Sequence, residues 1–140
     1  MKSKSWLILL SGLVLIVACQ QSNEQTTQNE IGLISAMEKF HTILRPLQHQ
    51  AVPNQNIDVI TAHADTLHAL ALQVQGASVP EKLAENSETI AQHKANLLQA
   101  VEQFQDVAAS DVPEEILAAF SSVHDRYEEF ATSVYRLEGR

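Results

Sequence analysis

The chain has 140 residues, a formal net charge of −8 from nine basic and seventeen acidic side chains, and a single cysteine. An acidic balance of this kind argues against nucleic acid and against anionic lipid head groups as partners. One cysteine excludes an intrachain disulfide.

The first stretch has the pattern of a targeting segment. Lys2 and Lys4 precede an apolar run from Trp6 to Ala18 that is too short for a good membrane span. Ile16-Val17-Ala18-Cys19 closes it. Together these features resemble a bacterial lipobox. The resemblance implies that residues 1–18 are a signal peptide. Cys19 would then be the diacylated, often also N-acylated, N-terminus, and the membrane would be held through its acyl chains. Gln20 stands where Asp would signal retention in the inner membrane, which by the same resemblance favours the outer membrane, facing the periplasm. Lys2 and Lys4 leave with the signal, so the mature chain is more acidic by two. Residues 19–28 are polar, carry only Glu24 as a charge and show no apolar period, as in a flexible tether.

Residues 29–140 suit one domain with one core. A first helix is expected over about 29–50, opened by a Thr27/Glu30 capping box. Its apolar stripe is Leu33, Met37, Phe40, Leu44 and Leu47, at helical spacing. Pro46 interrupts that stripe. It lacks a backbone donor and clashes with the Thr42 carbonyl, which predicts a kink or early unwinding. After a turn with Asn54 or Asn56 as cap, a second helix is expected over about 56–75. It carries Ile57, Ile60, Ala64, Leu67, Ala71 and Val74 and stops at Gly76-Ala77.

The third helix, about 79–108, opens with Ser78-Val79-Pro80-Glu81 and carries Leu83, Ile90, Leu97, Val101 and Phe104. The polar run at residues 85–88 predicts a break near Asn86. The fourth, about 112–138, opens with Asp111-Val112-Pro113-Glu114 and carries Ile116, Phe120, Val123, Tyr127, Phe130, Val134 and Leu137. No strand-like alternation occurs. Four helices with short connections predict an all-α, up-down-up-down four-helix bundle.

Enzyme signatures are missing: no Gly-rich phosphate loop, no Gly-x-Ser-x-Gly, no His-Glu-x-x-His. The expectation is a protein that is not an enzyme, and histidine is the remaining chemistry. Counted from the end where helices one and three finish, His41, His63 and His124 lie within roughly 6 Å of one height. They stand on the first helix and its two neighbours, each bordering an apolar stripe. Three converging imidazoles would hold Zn²⁺ or Cu, with His49, turned inward at Pro46, as fourth ligand. Glu38, Asp125 and Glu128 are the expected acceptors behind them. His68 lies off its stripe and His93 is on the diagonal helix. Glu38-x-x-His41 matches half of a carboxylate di-iron motif, but no second half is present.

The chain also resembles the four-helix cytochrome c-prime group and its soluble b-type relatives. The resemblance rests on chain length, an early Met37-Glu38 in the first helix and a late His124-x-x-Tyr127 in the fourth. It implies a four-helix bundle and, by the b-type pattern, a non-covalent haem b held axially by Met37 and His124. No Cys-x-x-Cys-His occurs, so a covalent haem is excluded. Three functional expectations follow. The first is a lipid-anchored periplasmic buffer, sensor or carrier of Zn or Cu. The second is a haem b protein. The third is a structural lipoprotein that binds a periplasmic protein partner and no ligand.

Overall fold

A computed structural model describes residues 32–139. The signal segment, Cys19, the tether and the Thr27/Glu30 pair lie outside the described residues. What is described is all-α. Helix α1 spans Leu33–Pro46 and runs into a π-helical turn, Leu47–Ala51; α2 is Ile57–Thr61 and α3 Ala64–Gly76. A 3₁₀ turn, Glu81–Asn86, leads into α4, Ser87–Ala108, and α5 is Pro113–Glu138. Among the described residues the only β-type pairing is a single bridge between Gly32 and Ser78.

The periodic residues build the core. Leu33, Met37, Phe40, Leu44 and Leu47 are buried along α1 and its π extension. Ile60, Ala64, Leu67, Ala71 and Val74 are buried opposite, and so are Leu83, Ile90, Leu97, Val101 and Phe104. On α5 the stripe is buried from Ile116 to Val134, whereas Leu137 at its end is exposed. Helix α4 packs against both α3 and α5, and α1 packs against α3. Large rings join α1 to α5. Phe40 and Tyr127 stack at 5.6 Å, and the Tyr127 hydroxyl donates to the Met37 carbonyl at 3.3 Å. Phe104 and Phe120 meet edge to face at 5.5 Å between α4 and α5.

Pro46 neither ends nor unwinds the helix as expected; the chain stays helical through it and widens instead. Pro46 keeps helical angles (φ −64°, ψ −33°), but it offers no N–H to the helix ladder. The next turn widens, so that the Val52 N–H donates to the Leu47 carbonyl five residues back, at 3.0 Å. A wider turn is one way for a helix to absorb a missing bond and a ring clash.

The second helix is broken rather than continuous. Ala62 and His63 separate α2 from α3. The Thr61 hydroxyl donates back to the Ile57 and Asp58 carbonyls, and the His63 ring takes the Val59 carbonyl at 2.8 Å. Side chains that compete in this way for helix carbonyls bend or end a helix. His63 thus becomes the residue capping α3. Asn56 does cap α2, accepting from Val59 N–H at 3.4 Å. The Ser78/Glu81 and Asp111/Glu114 starts form no side-chain cap bond. The break near Asn86 takes the form of the 3₁₀-to-α junction.

At one end of the molecule the start of α1 meets the close of α3 through the Leu33 N–H and the Ser78 carbonyl, at 3.0 Å. There too Lys82 Nζ lies 2.6 Å from Glu138 Oε1 at the end of α5. The far end carries the π turn, α2 and the α4–α5 connection. Among the described residues no helix is long and apolar enough to cross a membrane.

Candidate functional site

The structure separates the histidines. His41 is half-buried and stacks on Tyr127, with centroids 5.3 Å apart and planes 11° from parallel. His124 sits one turn earlier on α5. Its Nδ1 lies 3.6 Å from Asp125 Oδ1 and its Nε2 3.9 Å from Glu128 Oε1. His63 is at the far end, bonded to Val59. His49, in the π turn, is exposed; Pro46 widens the helix without turning this ring inward. Glu38 is exposed, and its backbone carbonyl takes the Thr42 hydroxyl. Among the described residues no group of three or more His, Cys, Asp or Glu side chains converges as a metal site.

The common height of His41, His63 and His124 therefore does not become a common centre. Ending α2 at Thr61 turns His63 into a cap, while the Tyr127 ring holds His41 along the α1–α5 seam. Of the set, His41 and His124 remain nearest in setting, because Glu128 flanks His124 and shares a surface cleft of about 510 Å³ with His41. His93 stacks on Phe130 at 5.5 Å. Met37 is fully buried, so its sulfur reaches a porphyrin only if the core opens.

Another concavity lies beside the proline turn. It has a volume of about 400 Å³, at the low end of small-molecule sites, which run from roughly 300 to 1,000 Å³. Ile43, Pro46, Leu47, Ala51 and Val59 supply apolar walls, and Gln50, Asn54, Asn56 and His63 supply polar groups. The π turn builds one side and α2 the other. Asn56, Val59 and His63 fall on the same face of α2 and its cap. The opposite face presents Ile57, Asp58 and Thr61 to a second cleft of about 330 Å³ against the α4–α5 connection.

Hydrogen bonds within the first cleft fix what it still offers. The Asn54 amide donates to the Gln50 carbonyl at 2.6 Å, which leaves Asn54 Oδ1 as an acceptor. The Asn56 Oδ1 accepts from Val59 N–H, which leaves its amide N–H₂ as a donor. A carbonyl only accepts, so His63 Nδ1 carries the proton toward Val59 O. Nε2 of the neutral ring is then an acceptor. No carboxylate, lysine or arginine lines the cleft.

Two buried polar groups away from the clefts act on the fold. Lys94 is buried, and its Nζ donates to the Ala77 carbonyl at 2.5 Å and to the Gln75 carbonyl at 3.5 Å. It ties off the end of α3 from α4, and desolvation lowers its pKa below the usual lysine value. Burial raises the Tyr127 pKa well above the usual phenol value.

Neither the cleft nor the Lys94 tie follows from the spacing of the histidines. The signals were nonetheless present: a proline inside an apolar stripe followed by Asn54 and Asn56, and a lysine four residues after Ile90 and three before Leu97. Comparison with protein-family models, curated proteins and solved structures finds no match.

Proposed function

We propose that the protein is a lipid-anchored binding module of the bacterial envelope, an up-down-up-down four-helix bundle carried on Cys19 in the outer membrane and facing the periplasm. It is not an enzyme on this reading. The lipobox pattern at residues 16–19 supports the anchor. Buried stripes on successive helical segments with short connections support the bundle. The observation that carries the binding role is the cleft beside Pro46, with its apolar walls and uncommitted polar groups.

Two experiments test the proposal. Palmitate labelling of the expressed protein, with Cys19→Ser as control, reads the anchor; absence of label on the unaltered chain removes it. A nuclear magnetic resonance screen of small molecules against the ¹⁵N-labelled protein reads the cleft. Binding shifts should gather on the amides of Gln50, Asn54 and Asn56. Hits that gather elsewhere remove the cleft as the site.

A second reading keeps the transition metal. Glu128 stands beside both His41 and His124, and the Glu128 side chain is about half exposed. A rotamer change at the α1–α5 seam would let two imidazoles and one carboxylate close on Zn²⁺ or Cu²⁺. His63 and His49 take no part in this version.

A further inference from the structure

We propose that the cleft beside Pro46 takes an uncharged, hydroxyl-bearing aliphatic molecule from solution. This rests on the proposed binding role of the cleft and adds the class of its ligand.

Charge decides first. The chain is acidic, with nearly a fifth of its residues charged, yet no carboxylate, lysine or arginine lines this cleft. An ion entering it would give up part of its hydration against apolar walls and meet no counter-charge. A neutral molecule avoids that loss and gains by covering Ile43, Leu47 and Val59.

Hydrogen bonding decides next. Asn54 Oδ1 and His63 Nε2 can accept, the Asn56 amide can donate, and the Gln50 side chain can do both. A hydroxyl donates and accepts at once, so one such group on an aliphatic body matches both kinds of site. An ether of the same size cannot donate to Asn54 Oδ1 or His63 Nε2, so it makes fewer bonds there than an alcohol.

Position separates the cleft from the N-terminal end of the described chain. Gly32 and Ser78 meet at one end of the molecule, and the π turn lies at the other, one α-helix length away. Helix α4 alone has 22 residues, about 33 Å at the usual rise. The cleft therefore lies at the end of the molecule opposite Gly32.

The test uses a matched set of probes against the whole ¹⁵N-labelled protein: cyclohexanol, methoxycyclohexane, cyclohexanecarboxylate and cyclohexylammonium. Cyclohexanol should shift Gln50, Asn54, Asn56 and the His63 ring, with Kd at least about tenfold below each of the other three. Val59→Glu, at an exposed wall position, should turn the preference toward cyclohexylammonium. An acid, amine or ether that binds the unaltered cleft as tightly as the alcohol overturns the ligand class and leaves the cleft standing. Failure of all four probes to shift cleft residues overturns both. Shifts that persist unchanged in Val59→Glu also overturn the assignment.

Discussion

Lys94 Nζ lies 2.5 Å from the carbonyl oxygen of Ala77, across the boundary between α4 and α3. Helix ends leave carbonyls without partners inside the helix. Here a buried amine from the neighbouring helix answers the last carbonyls of α3, at Gln75 and Ala77. Replacing Lys94 by Met keeps the side chain's length and removes the donor. Lys94→Met should lower stability by roughly 1–3 kcal/mol in urea unfolding, with hydrogen exchange quickening at the close of α3. An unchanged midpoint would show that water answers those carbonyls equally well.

Tyr127 links α1 and α5 through its hydroxyl and its ring, so Tyr127→Phe isolates the hydroxyl. The variant should lose about 1 kcal/mol at neutral pH. The pH dependence has a definite sign. Burial raises the folded pKa above the unfolded value of 10.0. The unfolded chain therefore releases this proton first, and stability is lost as pH rises beyond 10.0. Between about pH 8 and about pH 11, the unaltered protein should lose more stability than Tyr127→Phe. Equal losses would remove the assignment.

Pro46 trades helix strength for a cleft. Pro46→Ala restores a donor opposite the Thr42 carbonyl and removes the ring clash. The variant should melt higher, by an amount corresponding to roughly 1–3 kcal/mol. The π turn should relax toward ordinary helix, and cyclohexanol should bind more weakly. A higher melting point with unchanged probe binding would separate the cleft from the proline.

The seam between His41 and His124 has a simple optical test. The only tryptophan is Trp6, so in protein that begins at Cys19 the emitting side chains are Tyr127 and Tyr135. If the seam holds metal, Cu²⁺ should quench them saturably, and Zn²⁺ should compete. His41→Gln and His124→Gln should each weaken the effect about tenfold or more, while His63→Gln leaves it unchanged. Equal quenching in all three variants would end the metal reading. A haem titration on the same sample, read by its Soret band, tests the Met37–His124 alternative.

Much of the fold was legible because helical periodicity speaks directly to burial. Five of five expected stripe residues on the first helix are buried, and Asn86 marks the 3₁₀-to-α junction. The break at His63 was less visible. It depends on where the Thr61 hydroxyl and one imidazole find carbonyls, which periodicity does not encode. The candidate site suffered from the same limit. Equal height along a bundle says nothing of direction around each helix, and His63 spends its ring on Val59. Lys94 was hidden by its residue type, although its spacing from Ile90 and Leu97 pointed inward.

The Gly32–Ser78 bridge has a mechanical consequence. Any pull arriving from the N-terminal side reaches Leu33 first, whose N–H is held by the Ser78 carbonyl. Load then passes into the α3–α4 connection as well as into α1. Tension entering at Gly32 would thus be shared between two helical segments, while the proline turn lies a full helix length away.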